Sequence, residues 1–73
     1  MYKLREARKK ANLTQRELAV KAGIGEGHYS KIERGENGLM LDTAKAIANA
    51  LDLGVDQIEW PKPQDTEEAS NEH

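Results

Sequence analysis

Cysteine is absent from this 73-residue chain, and histidine occurs only as His28 and His73. Without thiols there is neither a disulfide framework nor a thiolate metal site, and two histidines so far apart do not make a zinc cluster. A reducing, cytoplasmic setting fits that composition. No apolar run approaches the roughly 20 residues needed to cross a bilayer, so no membrane partner is expected. The basic N-terminal stretch with Lys3, Arg5, Arg8, Lys9 and Lys10 is not followed by an apolar segment, which argues against a secretory leader. There is no internal repeat, nucleophile–base set or cofactor loop. Neither an enzyme nor a cofactor or metal is therefore expected.

What is present is one small domain's worth of residues. At this length a single core is barely sufficient, which favours an all-helical, locally connected fold or oligomerisation, and excludes a second domain. The net charge of −2 hides a segregation. Residues 1–34 carry nine Lys/Arg against four Glu, a net of +5, and residues 35–73 carry two basic against nine acidic residues, a net of −7. The first half can face phosphates while the second does not.

Along the chain, Leu4, Ala7 and Ala11 recur at helical spacing and predict a first helix over residues 2–11, broken at Asn12. A second helix has a complete start signal: Thr14 and Glu17 form a capping box, with Leu13 and Leu18 as flanking apolar positions. Leu18, Ala19 and Ala22 make its inner stripe, Gly23 ends it, and the small Ala19 suits a close helix crossing. A third helix is expected over about Glu26–Arg34, with Tyr29 and Ile32 inward, the Tyr29 hydroxyl near the surface, and Gly35 as the stop. Its start is weak, because Gly25 holds the cap position and Gly27 in the first turn costs about 1 kcal/mol relative to Ala. Leu41, Ala44, Ile47, Ala48 and Leu51 predict a fourth helix near Leu41–Leu51, and Val55–Trp60 a short fifth one stopped by Pro61 and Pro63. Residues 1–60 thus make the domain, and residues 61–73, without a large apolar side chain, are expected to be a disordered acidic tail.

The stretch TQRELAVKAGI, followed by YSKIERG and later by an A-x-A-L-D-L segment, closely resembles the Cro/repressor-type, or XRE-like, helix-turn-helix family over roughly Leu4 to Ile58. The resemblance implies an all-α, five-helix, lambda-repressor-like DNA-binding domain with the helix-turn-helix at helices two and three. It further implies a transcriptional regulator of bacterial, phage or mobile-element type, binding double-stranded DNA as a symmetric dimer with helix three in the major groove. Carried over by position, Gln15 falls where the family holds a phosphate, and Arg8 and Glu33 fall on a buried ion pair. Base-facing positions fall on Glu26, Gly27, His28 and Lys31, with Ser30 beside them. Arg16, Lys10, Arg34 and Asn37 are candidates for backbone contacts.

The chain departs from that pattern at the Gly25 cap, at Glu26 and Gly27, and at Gly38-Leu39-Met40, where the family commonly has Pro followed by Ser or Thr. A reading face short of donors and an apolar pair in a DNA-bordering loop suit a second reading: an antirepressor or modulator that keeps the fold but binds another repressor protein. Blander readings stand beside these. The basic half can be a solvated face, His28 a surface residue, Trp60 a lid on the core instead of a dimer contact, and Leu39-Met40 a loop tucked on the core instead of an interface. The tail's carboxylates are either solubilising or competitors of phosphate for the basic face.

Overall fold

In a computed structural model, the structure describes residues 1–36 and 39–61. Four α-helices make up most of it: α1 (Leu4–Lys10), α2 (Gln15–Ala22), α3 (Glu26–Glu33) and α4 (Leu41–Ala50). A single 3-10 turn, Val55–Gln57, follows α4, and two short extended pieces, β1 (Tyr2–Lys3) and β2 (Ile58–Glu59), pair in parallel with Tyr2 opposite Ile58. The tail expected at 61–73 lies outside the described residues except for Pro61, as do Asn37 and Gly38.

Each of the four helices ends in the same way. The residue after the last turn takes a left-handed conformation, at Asn12, Gly23, Gly35 and Asp52, with φ between 61° and 77°. Its amide and the next one then fold back onto carbonyls of the final turn, as in Asn12 N to Lys9 O at 2.9 Å and Leu13 N to Arg8 O at 3.2 Å. The pair of bonds satisfies carbonyls that the helix geometry leaves open. At three of the four ends the next residue is apolar, and Leu13, Ile24 and Leu53 all pack against the core. A stop signal therefore also pins the start of each connection. Sequence spacing had marked Asn12, Gly23 and Gly35 as stops. Asp52 gives no such signal, since aspartate takes the left-handed region less often than glycine.

The core joins Leu4 and Ala7 of α1, Leu18 and Ala19 of α2, Tyr29 and Ile32 of α3, and Ile47, Ala48 and Leu51 from α4 and its end, with Ile58 of β2 closing it. Packed against both α3 and α4, α2 sits at its centre. Two stripe positions differ from expectation. Helix α1 stops at Lys10, so Ala11 is exposed at its end and Arg8, only 9% exposed, takes the inner position beside Ala7. Leu41 opens α4 before the helix reaches the core, and 62% of it stays exposed.

The fifth helix expected over Val55–Trp60 is not one. The chain makes one 3-10 turn and then runs extended through Ile58, at φ −113° and ψ 133°. Six residues are too few to offset the cost of helix nucleation, β-branched Ile58 favours an extended backbone, and Pro61 disfavours helix at Trp60. Pairing with Tyr2–Lys3 supplies the backbone partners instead.

The shared helix ending makes Gly23 a sensitive position. Gly23→Ala is expected to lower stability by about 1–2 kcal/mol, the cost of a Cβ in the left-handed region, although an added Cβ there meets no atom within 4 Å. Thermal unfolding followed by circular dichroism reads this as a drop of several degrees in Tm.

Candidate nucleic-acid interface

The capping box expected at the start of α2 is fully formed. Glu17 N donates to Thr14 Oγ1 at 3.0 Å, and Thr14 N donates to Glu17 Oε1 at 2.8 Å. The first two residues of the helix, Gln15 and Arg16, consequently sit at its positive end, with backbone N–H groups that have no acceptor within the helix. Arg16 is exposed and Gln15 half-buried. The connection Gly23–Gly25 then delivers α3, whose first turn has no side-chain cap.

On α3, helical periodicity sorts the candidate residues. Tyr29 and Ile32 are buried, whereas Glu26, Gly27, Ser30 and Lys31 lie along the opposite side, with His28 on the flank. Glu26, Gly27, His28 and Lys31 are exposed and Ser30 is half-buried. An added Cβ at Gly25 or Gly27 would meet nothing within 4 Å, so packing does not demand glycine at either place. The outward side of this helix is correspondingly short of side chains.

The candidate backbone-contact residues are dispersed. Lys10, at the end of α1, holds its Nζ 5.1 Å from the centre of the Tyr2 ring, a cation–π contact. Past the end of α3, Arg34 Nε donates to Glu36 Oε2 at 2.6 Å and its Nη1 to Ser30 Oγ at 2.7 Å. Exposed pairs of this kind contribute little, so the Arg34 pair does not bar the guanidinium from a phosphate. Asn37 lies outside the described residues.

The polar centre of the site is Glu33. Arg8 Nε donates to its Oε2 at 2.8 Å and Arg8 Nη2 to its Oε1 at 3.4 Å, while Arg8 Nη1 caps the carbonyl of Leu13 at 2.8 Å. Two further donors reach the same carboxylate: Gln15 Nε2 to Oε1 at 2.7 Å and the Tyr29 hydroxyl to Oε2 at 2.8 Å. One carboxylate thus gathers side chains from α1, α2 and α3. Burial disfavours its charge, but hydrogen bonds from Arg8, Gln15 and Tyr29 outweigh that and hold its pKa below the ordinary glutamate value. Hydrogen bonding to Glu33 raises the pKa of Arg8 against the opposing effect of burial. Burial first, and then the adjacent carboxylate, push the Tyr29 hydroxyl far up, so it remains a donor. The family resemblance implies the pair Arg8–Glu33, which the structure contains, but not the two extra donors. Tyr29 was expected to hold its hydroxyl near the surface, yet the residue is fully buried with the hydroxyl on Glu33. The spacing of four between Tyr29 and Glu33 on one helix is a signal that could have revealed that contact.

The family model for helix-turn-helix proteins matches residues 4–58, from the first residue of α1 to the first of β2. The chain belongs to the helix-turn-helix family. In this helix-turn-helix domain α2 and α3 are the two helices of the motif and Gly23–Gly25 is its turn. A relative described as an uncharacterized HTH-type transcriptional regulator, y4dL of Sinorhizobium fredii (strain NBRC 101917 / NGR234), is 40% identical over 52 residues, 71% of this chain. Those residues make up 26% of the relative, so the chain spans about a quarter of its length.

The apolar candidates separate. Leu39 is half-buried against the core, but Met40 is 71% exposed and continues into exposed Leu41. Trp60 is half-buried against the core and its Nε1 donates to Val55 O at 3.0 Å. Among the described residues, no group of His, Cys, Asp and Glu is arranged to hold a metal, and no helix is long and apolar enough to cross a membrane.

Arg8→Ala leaves the carboxylate of Glu33 without its cation and is expected to destabilise the fold by about 3–5 kcal/mol. The pH dependence carries a sign. Because the folded pKa of Glu33 is depressed, its ionised form adds stability above the ordinary value of 4.5, and this is lost as pH falls from there through the folded value. Melting wild type and Glu33→Gln between neutral pH and pH 3 should show the wild-type advantage shrinking below pH 4.5.

Proposed function

We propose that this chain is a sequence-specific, DNA-binding transcriptional regulator that docks the N-terminal end of α2 on backbone phosphates and reads the major groove with α3. The observation that carries the reading is the division of α3. Its inner side is locked into the core by Tyr29 and Ile32 and through Glu33, while Glu26, Gly27, Ser30 and Lys31 share the outward side. A rigid helix with one bare, accessible side next to a positive helix end is what groove reading needs. Membership of the helix-turn-helix family supports this, as does a relative described as a transcriptional regulator.

In this reading Gln15 and Arg16 hold phosphates, helped by the amides at the start of α2, and Lys10, Arg34 and Asn37 add contacts at the rim. Lys31 donates to guanine O6 or N7, Glu26 accepts from cytosine N4, and His28 and Ser30 contact the flanks. Gly27 brings backbone instead of side chain to the groove. A homodimer on a palindromic site, acting as a repressor in the cytoplasm, completes the proposal.

A second reading, a modulator that binds another repressor protein, is favoured by one specific observation. Met40 and Leu41 form an exposed apolar pair at the start of α4, on the acidic half of the chain. Retardation of a selected operator by the isolated chain at submicromolar concentration and physiological salt favours direct DNA reading. Failure to bind any DNA, with recovery of a second repressor, favours the modulator.

For direct reading, Lys31→Ala is expected to cost about 1–3 kcal/mol on the selected site and far less on random DNA. Lys10→Ala should weaken both about equally and flatten the salt dependence by about one counterion. Fluorescence anisotropy across a salt series measures both effects, and equal losses from Lys31→Ala on the two DNAs would remove the base-reading role.

A further inference from the structure

Gln15 has two partners to serve if the DNA reading holds. Its carboxamide nitrogen already lies 2.7 Å from Glu33 Oε1. Only the nitrogen can face a carboxylate at that distance, because the amide oxygen would be repelled, so the orientation of the group is determined. A primary amide carries two protons. One is on Glu33, which leaves the second for another acceptor, and Gln15 is the half-buried first residue of α2, beside the open backbone N–H groups of that helix end.

We infer that Glu33 is a positioning residue for DNA binding: from the end of α3 it orients the Gln15 carboxamide so that the second N–H meets a backbone phosphate. This rests on the DNA reading proposed above and deepens it. Three features of the structure carry it. The carboxylate is itself immobilised, by Arg8 from α1 and the Tyr29 hydroxyl from α3. Its charge does not repel a phosphate strongly, because the Arg8 guanidinium lies against it at 2.8 Å and both side chains are almost wholly enclosed. A free glutamine side chain would lose rotamer freedom on binding, whereas this one has lost it already in folding, so its phosphate contact is pre-organised. The same chain of bonds sets the distance between the phosphate anchor on α2 and the reading side of α3. Glu33 thereby links docking to register without touching DNA.

The test uses the full chain and a mixed-sequence duplex of about two helical turns at low salt, since a phosphate contact needs no particular sequence. Replacing the polar set by apolar residues of similar size, as Arg8→Met with Tyr29→Phe and Glu33→Leu, removes the acceptor for Gln15 while leaving no orphaned charge. That replacement is expected to weaken duplex binding about fivefold, and to have no further effect once Gln15→Met is present, as a double-mutant cycle requires for coupled groups. Lys10→Ala should cost the same in both backgrounds. An equal loss from the apolar replacement with and without Gln15 makes Glu33 a purely structural residue and overturns the inference.

A second measurement needs no variant. In nitrogen–proton NMR spectra the two side-chain amide protons of Gln15 should be well separated in the free chain, and on adding duplex the one not bonded to Glu33 should move more. Coincident amide protons, or a pair that ignores the duplex while the backbone amides of α3 shift, overturn it as well. If wild type binds no duplex at all, the DNA reading fails first and the inference with it. Duplex binding with uncoupled Gln15 and Glu33 removes the inference alone.

Discussion

One enclosed carboxylate holds the front of this molecule together. Glu33 takes hydrogen bonds from Arg8, Gln15 and Tyr29, which means that α1, α2 and α3 meet at a single charge. In a core built largely from small and medium side chains, such a centre adds direction to packing forces that have none of their own. A buried ion pair is not by itself a strong source of stability, because desolvation offsets much of the attraction. Here the carboxylate accepts four hydrogen bonds, and Arg8 Nη1 donates in addition to the Leu13 carbonyl at 2.8 Å. Among the described residues no buried side-chain nitrogen or oxygen lacks a partner. The arrangement is therefore one that costs little to keep and much to break.

Around that centre the backbone is shaped by a repeated local device. All four helices end on a left-handed residue followed by two backward hydrogen bonds, and three of the following residues anchor in the core. Short helices need this, since seven to ten residues are too few to be stable without tertiary support. The parallel pairing of Tyr2–Lys3 with Ile58–Glu59 then brings the ends of the matched region together, and Trp60, next in the chain, packs against the core.

The surface divides along the same lines. Positive charge collects on the first half, around α1 to α3, and the acidic half carries the exposed Met40 and Leu41. The helix-turn-helix frame is complete, with a full cap at α2 and a rigid α3, while the outward side of α3 offers few side chains. A well-capped positive helix end and an outward side with few side chains coexist on one motif. That contrast suits both direct DNA reading and a modulator role.

The sequence by itself determined the helices and most of their ends. Thr14 and Glu17, three apart, make a capping box wherever they occur before an apolar stripe, and Asn12, Gly23 and Gly35 announce left-handed stops. The family resemblance, and not spacing, points to the exposed candidates on α3 and to the Arg8–Glu33 pair. Only the tertiary structure decided that Val55–Trp60 is a turn and a strand, that Leu41 stays outside, and that Gln15 and Tyr29 join Glu33. Capping and helix stops involve atoms within a few residues, so their partners are written in the local spacing. The bonds from Gln15 and Arg8 to Glu33 span 18 and 25 residues, and β2 finds its partner at the other end of the chain. Such contacts depend on how the helices cross, which no window of neighbouring residues contains.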